Sequence, residues 1–252
     1  MVIIICSALM VYWYFKRHFH AGVWGYSAIA YFVAIALKYA VQLPTINIVT
    51  ADFGAHSVQL GLYYGLQTVF FEVGLAYLVA WYAVSRRQLE KKDAEAYGSG
   101  LAFWENAIYL GVLTLISLVS IYAILLTNTS TAQTVYNQLK ANQPDLFAPA
   151  SQALSSVAVG TVERISSVLF HFAWGYLCLM AAVYHKKRLF LIALPMGLVD
   201  FLVPFTGPGT VALFESVVFA LSVLSVLVAH YVTTRAIKDS ENQGNLLKKP
   251  SL

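Results

Sequence analysis

Glu72, Glu105, Glu163, Arg164, His171 and Asp200 lie inside stretches otherwise apolar enough to cross a bilayer. A charge near the bilayer centre costs at least a few kcal/mol, so such side chains face a protein interior or trapped water and act there. Three chemistries suit the set. Carboxylates with an imidazole can hold a divalent metal and activate its bound water. The same groups can bind cations or relay protons. They can also cradle a polar substrate.

Spacing limits what each group can reach. Arg164 and His171 are two helical turns apart, hence on one face. Glu163 lies about 80° round the helix from His171 and about 12 Å along it, so the two share a metal only with ligands from other helices. Glu163 next to Arg164 also reads as a self-neutralising pair near the outer interface. His171, between Phe170, Phe172 and Trp174, reads as a ligand or as a donor to a backbone carbonyl. Glu72, within Phe70-Phe71-Glu72-Val73-Gly74, is a functional carboxyl or one hydrogen-bonded to a neighbouring helix. Glu105 follows Gly98-Ser99-Gly100, small residues that allow close helix approach. Its alternative is snorkelling to the cytoplasmic interface. Asp200 follows Pro195-Met196-Gly197, and Pro and Gly free backbone carbonyls around intramembrane sites. Pro204, Gly207, Pro208 and Gly209 end that span. Glu215, one turn into the last span, reads as wetted at the outer interface.

The elements that must position these groups are transmembrane helices. The chain has 252 residues, 59% hydrophobic and 11% charged, with mean hydropathy +0.68. That composition excludes a soluble domain and indicates an all-α, multi-pass protein of the cell membrane, with the lipid bilayer as its surroundings. Seven spans are expected, at about 1–15, 22–43, 58–84, 98–127, 155–184, 189–206 and 211–233. The first is short. Lys16, Arg17, His18 and His20 follow it with no small-residue cleavage site, so it reads as a retained helix.

Positive clusters fall at Lys16-Arg17, Arg86-Arg87 with Lys91-Lys92, Lys186-Lys187-Arg188, and Arg235 with Lys238. The intervening loops carry only Lys140 as a cation. With seven spans every positive cluster lies on one side, and the positive-inside rule puts the N-terminus out and the C-terminus in. Residues 1–238 read as one transmembrane domain and 239–252 as a flexible cytoplasmic tail. The outer loop 128–154 is expected to carry a surface helix at about 131–142 and holds the sequon Asn128-Thr129-Ser130. Cys6 and Cys178 read as small core residues, not a disulfide framework. No nucleic-acid signature is present.

The order of these residues resembles the YhfC family of intramembrane metalloproteases, related to the CAAX-prenyl-protease superfamily. The resemblance runs from about Gly61 to Phe205. Its strongest stretch is Val162-Glu163-Arg164-Ile165 through Phe170-His171, followed by Leu198-Val199-Asp200-Phe201. Phe71-Glu72 resembles the family's Phe-Glu-Glu motif, and Gly98-Ser99-Gly100 to Glu105 resembles its Gly-x-Gly-His-Gly-x-x-Glu motif. The chain departs at Val73, where the second Glu is expected, and at Leu101 and Met196, where His is expected. Leu75 and Ala76 stand where an Arg should follow. The resemblance implies a divalent metal, zinc, held by His171 and Asp200. Glu72 would polarise a water, and Glu105 and Glu163 would orient the ligands, with Arg164 supporting. Three functions stay open: an intramembrane metal-dependent peptidase, a non-catalytic homologue that binds a membrane peptide or protein partner, and a proton- or cation-coupled transporter.

Overall fold

The computed structural model describes residues 2–16, 18–127, 129–142, 144–147, 149–207 and 210–247. Arg17, Asn128 of the sequon, Pro208, Gly209 and the last five residues of the tail lie outside the described residues. The secondary structure of the described residues is helical throughout, with no strand. It comprises α1 (Val2–Phe15), α2 (Ala21–Phe53), α3 (Val58–Ser85), α4 (Lys91–Leu125), the surface helix α5 (Ser130–Asn142), α6 (Ala150–Tyr184), α7 (Lys187–Phe205) and α8 (Val211–Leu247). α8 runs nine residues past the point where the sequence suggests a flexible tail.

Among the described residues six helices are long and apolar enough to cross a membrane, α2, α3, α4, α6, α7 and α8. The protein is therefore a multi-pass membrane protein. α1 has 14 residues, about 21 Å of helix against a hydrocarbon core of about 30 Å. α7 crosses with only 19 residues because twelve of them, Leu194–Phe205, are 3₁₀ helix. The longer 3₁₀ rise stretches the element to about 34 Å.

The second span differs most from its sequence reading. It was expected to stop at 43, before Pro44, yet α2 continues through Pro44 to Phe53. Proline removes one backbone donor and is tolerated in a membrane helix when other groups satisfy the freed backbone. Thr45, next to the proline, donates to the Val41 carbonyl at 2.5 Å and meets the Tyr63 hydroxyl at 2.7 Å, tying this part of α2 to α3. The extension moves Lys38 from near a helix end to the middle of a 33-residue helix.

α6 is the central helix and packs against α3, α4, α7 and α8, while α2 lies across α3 and α4 and α1 leans on α4. α4 meets α6 where glycines remove side chains. A Cβ on Gly98 would run into the Phe172 carbonyl oxygen, and one on Gly175 would lie 2.7 Å from the Gly98 Cα. Close contact of small residues substitutes for a hydrophobic driving force between helices in lipid. Around this seam Val73, Ala76, Tyr97, Trp174, Leu177 and Cys178 are buried. Tyr97 satisfies its hydroxyl by donating to the Ala76 carbonyl at 2.9 Å. Cys6 and Cys178 are both free and buried. Outside, large apolar side chains such as Leu115, Ile116, Val119 and Leu227 are exposed, as a lipid-facing surface requires.

The basic segments gather at one end of the bundle. His20 pairs with Asp93 at 3.4 Å, Lys91 lies over the Tyr184 ring, and Arg188 pairs with Asp239 at 3.2 Å.

Candidate functional site: a polar chamber inside the bundle

Three acids of the chamber come from helical turns that are not α. Glu72 lies in a π-helical stretch of α3, Thr68–Val73. Glu105 lies in the first turn of a second, Trp104–Val112 of α4. Asp200 sits in the 3₁₀ half of α7. π turns recur at functional sites because the widened turn displaces a side chain from the regular helical face. The cations instead stand on regular α-helix: Lys38 on α2, Arg164 and His171 on α6.

These groups form one alternating chain of charge. Asp200 Oδ2 lies 3.3 Å from Lys38 Nζ, and Lys38 Nζ donates to Glu72 Oε1 at 2.6 Å. The other Glu72 oxygen lies 3.2 Å from His171 Nε2, which in turn lies 2.8 Å from Glu105 Oε2. Hydroxyls and amides close the network. Thr68 donates to Asp200 and accepts from Lys38 at 2.9 Å. Ser167 donates to Glu105 at 3.0 Å. Asn106, fully buried, donates to the Ala102 carbonyl at 3.1 Å and to Ser167 at 3.2 Å. Buried polar groups are stable only when satisfied in this way.

His171 Nδ1 lies 2.9 Å from the Ser167 carbonyl. A carbonyl only accepts, so Nδ1 carries hydrogen and donates. Nε2 then faces two carboxyl oxygens, and a hydrogen must lie in that contact as well. The imidazole thus has no lone pair directed at open space.

The chamber gathers most of the residues singled out from sequence. Glu72 and Glu105 both touch His171, and Asp200 joins through Lys38. Glu105 turns inward to His171 rather than to the interface. Glu163 and Arg164 pair with each other, half-exposed, at the rim, and Arg164 reaches Asn106 at 3.5 Å. Glu163 makes no contact with His171, as their separation along α6 requires. Glu215, expected to be wetted, lines the same cavity of about 210 Å³. Among the residues that escaped the sequence analysis are Lys38, Thr68 and Tyr31, which lines the cavity. Lys38 had a usable signal, a lysine inside the apolar run Ala36-Leu37-Lys38-Tyr39-Ala40. Thr68 and Tyr31 had none, since neither type is unusual in a membrane helix.

A divalent metal does not fit this donor set. Zinc takes three protein donors at about 2.0–2.3 Å converging on one point, with a fourth position open. Here His171 and Asp200, the pair expected to ligate it, share no partner: Glu72 and the Lys38 ammonium stand between them. Both Glu72 oxygens are engaged, one by Lys38 and one by His171. Among the described residues no group of three or more His, Cys, Asp and Glu side chains is arranged to hold a metal ion. A dication at this point would also sit against an ammonium group.

No curated protein and no solved structure matches the chain. The family described as YhfC intramembrane metalloprotease matches residues 1–207. Those residues include α1 to α7 and every member of the charged chain from Lys38 to Asp200. The match spans well over half of the 252 residues, and this chain belongs to the YhfC intramembrane metalloprotease family.

Proposed function

We propose that this chain keeps the bundle of its family without its hydrolytic chemistry, and that the chamber receives a polar segment of a membrane peptide or partner protein. The observation that carries this reading is the Lys38 ammonium, seated between Glu72 and Asp200. It supplies in fixed form the positive charge that a metal would bring, and it leaves no coordination position for a water. The residue assigned as base on family grounds, Glu72, is held by an ammonium and an imidazole. A carboxylate so engaged is a poor acceptor for a proton from water.

The shape of the chamber agrees with a receptor. Towards the basic end it is closed by fully packed side chains, among them Tyr97, Trp174 and Leu177. Its rim, with Glu163, Arg164 and Glu215, lies towards the opposite end. By the positive-inside rule that rim faces outward. A carrier would need a second opening behind Trp174, and the buried core there supports none.

Metal analysis of the purified protein, with His171→Ala alongside, tests the reading. The expected result is no stoichiometric zinc in either protein and no cleavage of membrane peptides. Stoichiometric zinc in the natural chain that is lost in His171→Ala would overturn it.

A further inference from the structure

The chamber has more acid than its own cations can match. Its lining holds five carboxyl groups against Lys38, Arg164 and His171. Lys38 pairs with Glu72, Arg164 with Glu163, and His171 with Glu105. Asp200 has a share of Lys38 only. Glu215 has no ion-pair partner among the described residues, and its Oε2 is buried without a hydrogen bond. A carboxylate left unpaired in a membrane interior is expensive unless it takes up a proton or a counter-charge joins it.

A second feature points the same way. Tyr31 is 2% exposed and lines this cavity, yet its hydroxyl has no hydrogen-bond partner. Buried hydroxyls are nearly always satisfied, so an unsatisfied one on a residue that lines a cavity calls for a ligand atom or an ordered water as its partner. The remaining wall is apolar, with Phe170, Val199, Leu202, Val203 and Val218.

We infer that the chamber binds an organic cation, an alkylammonium or guanidinium group, with the unmatched carboxyl groups as counter-charge, Tyr31 as a hydrogen-bond partner and the apolar wall taking its carbon chain. This inference rests on the metal-free reading above. An organic cation suits the site where a dication does not. Its N–H groups reach separate acceptors at ordinary hydrogen-bond lengths, and it needs no three donors converging on one point. In a membrane partner the group is a Lys or Arg side chain; a free amine offers the same chemistry.

Titration of the purified protein in lipid nanodiscs tests the inference. The probes are n-butylammonium, n-butanol as its neutral counterpart, and a synthetic apolar helix of about 20 residues, long enough to span, with one Lys in its outer third. Trp174 reports occupancy, because its ring lies 4.3 Å from that of His171. Butylammonium is expected to saturate, and butanol is not. Tyr31→Phe and Glu215→Gln are each expected to weaken binding about tenfold, the loss of one charge-assisted contact. Neither variant should lower the melting temperature, since neither atom bonds to protein. Saturation by the Lys peptide but not by its Lys→Gln version assigns the site to a membrane partner. Saturation by butylammonium alone assigns it to free amines. No saturation by either cation, equal binding of butanol, or unchanged affinity in both variants overturns the inference. Stoichiometric zinc overturns the metal-free reading instead, so the two failures are distinguishable.

Discussion

Lys38→Met is the most informative single change. Methionine keeps the length and apolar stem of the side chain and removes only the ammonium. Glu72 then loses its 2.6 Å partner, and Asp200 and Thr68 lose contacts at 3.3 and 2.9 Å. The Lys38 and Glu72 side chains are only 14% and 8% exposed, so solvent screening relieves little of this loss. Asp200 is 34% exposed and contributes less. Removing one member of a buried pair costs about 3–5 kcal/mol, because the other charge is left uncompensated. For a chain of this size that corresponds to a melting temperature lower by roughly 6–20 °C.

The buried cysteines provide the assay. Cys6 and Cys178 are inaccessible in the folded protein, so a thiol-reactive fluorophore reports unfolding during a temperature ramp. Removing the charges together separates electrostatics from packing. Lys38→Met combined with Glu72→Gln and Asp200→Asn is expected to recover most of the loss, since replacing a whole buried ionic group is often close to neutral. If Lys38→Met melts with the natural chain, or if the triple variant melts no higher than the single one, the ammonium is not the counter-ion of these carboxylates and the reasoning fails.

Three further outcomes are expected. Gly98→Leu would push a side chain into the α6 backbone at Phe172 and should abolish folding or lower stability by more than about 3 kcal/mol, whereas Gly25→Ala, with nothing within 4 Å of the new carbon, should melt with the natural chain. Glu163→Gln removes a half-exposed pair with Arg164 and should change stability by no more than about 1 kcal/mol, measured in the same thiol assay. Glu105→Gln, which keeps the shape of the side chain but removes its charge beside His171, should lower stability by about 1.5–3 kcal/mol; an unchanged melting temperature would show that the His171 contact adds nothing.

The all-helical membrane architecture was legible because composition and hydropathy alone demand it, and the acids with His171 stood out as ionisable residues in apolar runs. Their arrangement was less legible, for a physical reason seen best at Lys38. With the second span ended before Pro44, Lys38 falls within reach of an interface, where a lysine can snorkel and carries no message. Only the continuation of α2 through Pro44 places the ammonium at mid-helix. The inward turn of Glu105 depends on the π stretch Trp104–Val112, which hydrophobic spacing does not encode. The short α1 was readable from its length. Leu101 and Met196, which stand where the family resemblance expects imidazoles, are consistent with the poor fit of this donor set to a divalent metal. The ammonium beside Glu72 and Asp200 could not be read from those positions, because it comes from a different helix, α2.

The two widened turns carry a lesson about how such a chamber changes. A π turn amounts to one surplus residue in an otherwise regular helix. Above and below Thr68–Val73 and Trp104–Val112, α3 and α4 continue with ordinary α geometry. Loss of one residue from either stretch would restore an unbroken ladder, leave the flanking packing faces in place and carry the acid sideways out of the chamber. Membership of the ionic chain is thus separable from the scaffold: in this architecture single-residue insertions and deletions can rewrite the interior while the helices around it stay where they are.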